Sequence, residues 1–218
     1  MYGLGELRTP GTLQTRSMGG VGVGMRNAAA VNLLNPAAYS AVRPKSFLFD
    51  FGLEGQCFYN SQKYYGQTLN TSYYTVNFHD IAFQLPIAKH LGLGFSLTPY
   101  SSVGYRMKQE VDDDEIWGNI GRVQYQWDGD GDVTEVKLGL GWEIFRGFSI
   151  GIAAQYYWGD IQRIYKTAIL ENITGGGLIA DATGTETYSV SRFKGQFGVQ
   201  WSPISNRRRI LTIGATYD

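Results

Sequence analysis

The most chemically suggestive spacing in this chain is Asp128, Asp130 and Asp132, alternating with Gly129 and Gly131. Carboxylates at the first, third and fifth positions open a calcium loop. That loop then requires glycine and, at its twelfth position, glutamate; the chain offers Val133 and Gly139. The run therefore reads as a surface turn, with weak calcium binding outside the cell as the chemical alternative. His79 and His90 stand far apart, with no partner spacing for a metal or a hydrolytic triad. No G-x-S-x-G occurs. The glycine-rich stretch at 19–24 is followed by no Lys-Ser/Thr and preceded by no apolar strand, so it is not a phosphate loop. Cys57 is the single cysteine. No catalytic residue, cofactor or metal site is expected, and the chain does not read as an enzyme.

The remaining ionisable residues fall into a pattern. Asp50, Glu54, Arg106, Glu135, Lys137, Glu143 and Lys194 each occupy the polar phase of an alternating run. The simplest reading is charges paired or hydrated on one face of a sheet. The sharper one is that Arg106, Lys137 or Lys194 holds the carboxylate of an amphipathic ligand.

The runs that position them are clearest at 133–158. Val136, Leu138, Leu140, Trp142 and Ile144 share one face, opposite Glu135, Lys137, Gly139, Gly141 and Glu143. After a turn at Phe145-Arg146-Gly147, Phe148, Ile150, Ile152, Ala154, Tyr156 and Trp158 resume it. Period-two alternation marks strands, because successive Cβ atoms point to opposite sides. An apolar face ending in aromatics, backed by charge and glycine, is the pattern of a transmembrane β-strand. Similar runs occupy 46–59, 73–85, 90–106, 188–201 and 209–217, making seven strands. In the second, the two halves have opposite parity, which a bulge near 77–80 reconciles. Pro99, which cannot donate a ladder hydrogen bond, marks a bulge or gap in the third. Within that strand Val103 is assigned outward and Arg106 inward. Short turns (86–90, 145–147, 203–208) alternate with longer polar connections (60–72, 108–132, 167–187), as in an outer-membrane barrel.

At 218 residues, with 29 glycines, 17% charged residues and zero formal net charge, the chain suits one sizeable β domain or two small ones, and not a nucleic-acid binder. No apolar run of about 18 residues provides a transmembrane helix. No secretory signal is visible, so the sequence reads as a mature form with an added Met1. Seven strands ending in mid-pattern read as the N-terminal half of a longer protein, since a single-chain barrel needs an even count and open edges cannot face lipid.

Three segments carry a family resemblance: R-S-M-G-G-V-G-V-G-M at 16–25, N-L-L-N-P-A-A-Y at 32–39 and S-F-L-F-D-F-G at 46–52. Together they resemble the start of outer-membrane transport proteins of the FadL/OMPP1 (TodX) type, most closely Bacteroidetes-type members. The resemblance implies a fourteen-stranded barrel, about seven strands of it here, with residues 1–45 as a hatch and 46–218 as barrel. Asn35, Pro36 and Ala37 would belong to the hatch, and Pro99 to a kink that opens a lateral path to the bilayer. It also implies a porin-like channel in the bacterial outer membrane for passive uptake of hydrophobic or amphipathic molecules such as long-chain fatty acids. The expected partners are membrane lipid and a small hydrophobic ligand. The alternative is a carrier or shuttle that partners other outer-membrane or secretion proteins, as related barrels do in type IX secretion. A soluble β-barrel holding lipid inside is a further alternative from pattern alone.

Overall fold

Alternation at this density yields an all-β protein. The computed structural model describes residues 4–64, 67–111, 121–172, 182–206 and 209–218. Its long strands are β2 (Leu48–Tyr64), β3 (Gln67–Ala88), β4 (Leu91–Glu110), β5 (Gly121–Phe145), β6 (Phe148–Asn172), β7 (Ala182–Asn206) and β8 (Arg209–Tyr217). They pair in chain order from β2 to β8, an up-and-down sheet, and the two-residue β1 (Glu6–Leu7) pairs with β4. The seven long strands are the seven that the alternation marks. No described helix is long and apolar enough to cross a membrane.

The chain divides into two compact units. One comprises Thr9–Pro99, Glu135–Tyr156 and Phe193–Asp218; the other comprises Met1–Arg8, Tyr100–Thr134 and Tyr157–Arg192. In the first, residues ahead of β2 form a short helix α1 (Leu13–Ser17) and a 3₁₀ turn (Pro36–Ala41). Thr12 caps α1, its hydroxyl accepting from the Thr15 amide at 3.3 Å. Asn35-Pro36 starts the 3₁₀ turn. Asn35 is the N-cap, its Oδ1 accepting from the Ala37 amide at 3.0 Å, and Pro36 takes the first position, where its missing N–H costs nothing. In the second unit Val103, Val133 and Ile161 form a small apolar core, with Tyr100, Tyr105, Tyr157 and Val190 packed against it.

The strands are longer than expected. The stretch at 60–72 is not a loop, because the β2–β3 ladder continues to Tyr64↔Gln67. Likewise β5 begins at Gly121 and β6 runs to Asn172, so much of 108–132 and 167–187 is strand; the parts at 112–120 and 173–181 lie outside the described residues. The stretch at 60–72 is largely polar on both faces and carries little alternation signal, yet its backbone still pairs. At the start of β5 an alternation is present, Val123, Tyr125 and Trp127 against Arg122, Gln124 and Gln126, directly ahead of the acidic run at 128–132. Asp128 to Asp132 therefore lies within β5 and is not a surface turn. Gly131 (φ +135°) and Gly159 (φ +155°) let β5 and β6 approach closely: a Cβ at either would collide with the carbonyl of Asp160 or Asp132, respectively.

Two irregularities reset the faces. Between β2 and β3 the register passes from Gly52↔Asp80 to Leu53↔Phe78, so His79 is the extra residue of a bulge within the stretch where parity required one. In β4, Gly92, Gly94 and Ser96 are buried before Pro99, and Ser101 and Val103 after it. The phase changes at the proline. The assignment of Val103 to the outward face is thereby corrected: it is core. Arg106 is likewise not on a buried face, its side chain being 72% exposed.

Candidate functional site

What most distinguishes the first unit is how its buried sheet face receives the irregular segment at 9–45. That segment has little regular structure, so its buried carbonyls need donors from elsewhere. The strands supply them. Gln84 Nε2 donates to the Asn32 carbonyl (2.9 Å), Lys137 Nζ to Leu33 (3.0 Å) and Gln196 Nε2 to Leu34 (3.4 Å). Gln200 Nε2 donates to both Val23 (3.0 Å) and Met25 (3.1 Å). Within the segment, Asn32 Nδ2 bridges the Gly22 and Met25 carbonyls, and Asn35 Nδ2 bridges Val23 and, across to β7, Val199.

Glycine supplies the room. A Cβ at Gly92 or Gly94 would strike Tyr39, at Gly141 or Gly151 the Pro36 backbone, at Gly198 Asn35, and at Gly214 the Val23 carbonyl. The side chain that uses this space is Tyr39, fully buried among them. Burial, with the Glu135 charge adding to it, raises its phenol well above the usual range. Val31 and Leu33 complete the contact, packing on Ala82 with Leu48 beside them. The seat is glycine for clearance and amide for hydrogen bonds.

Arg26 anchors the segment at the end of the short turns. Its Nη1 donates to Ser149 Oγ (2.6 Å), Ser40 Oγ (3.1 Å) and the Ala37 carbonyl (3.4 Å). Nη2 lies 3.6 Å from Glu143. Burial lowers the pKa of this guanidinium, and Glu143 opposes that shift. Glu143 in turn accepts from the Gly147 amide (3.0 Å) and contacts His90 Nδ1 (3.0 Å). Elsewhere in the segment, Arg16 of α1 pairs with Glu54 of β2 at 2.6 Å.

The residues singled out from sequence fall as follows. Asn35, Pro36 and Ala37 are buried at the centre of the seated segment. Lys137 is buried, bound to the Leu33 carbonyl and 3.6 Å from Glu135. Lys194 pairs with Asp218 at 3.0 Å. Arg106, in the other unit, pairs with Asp128 at 3.0 Å. The β3–β4 register ends at Ile81↔Leu97, just before Pro99, and beyond the proline Ser101 and Ser102 of β4 pair with Leu7 and Glu6 of β1. Among the described residues, no group of three or more His, Cys, Asp or Glu side chains is placed to hold a metal. Sequence reasoning missed Tyr39, Arg26, Gln84, Gln196 and Gln200. The available signal was glycine recurring on the polar phase of successive strands, at 92, 94, 139, 141, 151, 198 and 214.

The BamG family matches residues 1–218, the entire chain. This chain belongs to the BamG family. That assignment replaces the FadL/OMPP1 type which its N-terminal motifs resemble. Comparison with curated proteins gives no match. Among solved structures, the crystal structure of a Pseudomonas aeruginosa FadL homologue is similar over 92% of this chain at 12% identity, with a TM-score of 0.49. This chain spans 50% of the length of that homologue.

Proposed function

We propose that this BamG-family chain forms part of a bacterial outer-membrane β-barrel whose interior is filled, in its larger unit, by residues 9–45. The observation that carries this reading is the exposure of the apolar phase. Phe47, Phe49, Phe51 and Leu53 are 51–61% exposed, and Leu138, Trp142, Ile152 and Ile213 are each more than half exposed. Stripes of this kind are costly in water and natural against lipid. Amides and glycines occupy the opposite phase. A soluble barrel holding lipid inside would have the reverse arrangement. The test is migration of the full-length protein on SDS gels with and without boiling. A heat-dependent shift is expected; detergent-independent solubility without a shift would overturn the membrane reading.

Passive uptake of hydrophobic or amphipathic molecules, such as long-chain fatty acids, is the activity proposed for that barrel. It is supported by the N-terminal motifs and by the interruption of the β3–β4 ladder next to Pro99. A deletion strain should take up labelled fatty acid more slowly than its parent; equal rates would remove this activity and leave the membrane reading intact. The closeness of the seated segment to strand backbone favours a second reading, a carrier or partner protein in secretion. For that, co-purification of secretion components with the tagged protein is the deciding experiment.

A further inference from the structure

A pocket of about 850 Å³ opens at the short-turn end of the larger unit. Its walls come from the seated segment, the β3–β4 turn, the β5–β6 turn and the β7–β8 hairpin. Four of its lining residues carry permanent positive charge: Arg26, Arg43, Lys89 and Arg146. The lining holds one carboxylate, Glu143.

These charges are not equivalent. Glu143 is already committed to Arg26, His90 and the Gly147 amide. Arg26 is spent on Ser149, Ser40 and the Ala37 carbonyl. Arg43, Lys89 and Arg146 remain. Each is exposed and comes from a different element, and none makes an ion pair or side-chain hydrogen bond among the described residues. Three uncompensated cations converging on one concavity repel one another, and their field concentrates anions there. Of the lining hydroxyls, Ser40 already donates to the Ala37 carbonyl (2.8 Å), and Ser202 and Thr212 hydrogen-bond each other (2.9 Å), which leaves Ser205 and one of that pair as donors, with Ile210 also in the lining.

We infer that this pocket binds a phosphate-bearing anion, with Arg43, Lys89 and Arg146 as its cationic contacts. Guanidinium forks and an ammonium, supplemented by hydroxyl donors, match the several acceptor oxygens and net negative charge of a phosphate ester. The pocket is large enough for the ester's organic portion. The phosphate can arrive on a lipid headgroup or on a soluble ester. This site is separate from the uptake reading and stands or falls without it.

The test uses the full-length protein purified in neutral detergent. Two probes are titrated: soluble glycerol 3-phosphate, and phosphatidylglycerol presented in nanodiscs otherwise made of phosphatidylcholine. The variant R43Q/K89Q/R146Q is compared with K63Q/K108Q/R192Q, which removes three exposed charges elsewhere. All six side chains are exposed, so both variants should keep the heat-dependent gel shift. The expected result is salt-sensitive binding that weakens about tenfold or more in the first variant and is unchanged in the second. Binding of only the nanodisc assigns the site to a headgroup, and binding of only glycerol phosphate to a soluble ester. Equal weakening in both variants, or no binding of either probe to the unaltered protein, would overturn the site.

Discussion

The same two strands, β5 and β6, line both compact units and solve the problem of a buried face in opposite ways. In the larger unit that face presents Lys137, Gly139 and Gly141 from β5, and Ser149, Gly151 and Gln155 from β6, against a separate stretch of chain. In the smaller unit the same phase presents Val133 and Ile161, both fully buried, with tyrosines around them. A sheet face can therefore be filled by its own side chains or left vacant for a guest. Glycine and amide mark the second choice. Glycine cedes volume, and the amide answers the guest's carbonyls, which an apolar face would leave unsatisfied.

Substitutions can break this contrast from either side. Tyr39→Ala removes the largest side chain of the guest segment and should cost about 3–5 kcal/mol, the usual range for emptying a buried aromatic site. Limited proteolysis should then cleave within residues 9–45 while β5 and β6 stay protected. Ile161→Ala should cost about 2–5 kcal/mol, and here the guest segment should remain protected; cleavage of it would show that the two fillings are not independent. Lys137→Leu should lower the urea midpoint by an amount equivalent to about 1–3 kcal/mol, since the Leu33 carbonyl and Glu135 both lose a buried partner. The smallest effect tests clearance alone. A Cβ at Gly104 meets nothing within 4 Å, so Gly104→Val should stay within about 0.5 kcal/mol. Gly92→Val, which strikes the Tyr39 backbone, should cost about 1–3 kcal/mol or more. Equal midpoints for the two valine variants would contradict the role given to the glycines.

The outward faces were legible because a sheet with one apolar face exposed imposes a strict period: Leu138, Leu140, Trp142 and Ile144 are exposed as their alternation requires. The bulge was legible too, since Val76 and Ile81 could not share a face without one. Strand length was not. Between residues 60 and 72 both faces are largely polar, and hydrogen-bonded backbone leaves no mark on such a sequence; at 121–127 the alternation of Val123, Tyr125 and Trp127 was present but overshadowed by the acidic run that follows it. Nor could alternation alone carry Val103 past Pro99, where a missing donor shifts the phase. The charges on the polar phase were visible, but their partners were not. Lys137, taken from sequence as a residue that holds a ligand's carboxylate or sits among hydrated charges, meets the Leu33 carbonyl from 104 positions away.

That separation bears on the order of assembly. The bonds from Gln200 to Val23 and Met25 span 177 and 175 positions, and the Asn35 bond to Val199 spans 164. Gly214, against which Val23 rests, is among the last residues of the sequence. Residues 9–45 therefore have no complete docking surface until β7 and β8 have paired. Contacts this distant close large loops and form late and slowly. Until then residues 9–45 must wait, with their future carbonyl acceptors bonded to water, for β7 and β8 to arrive.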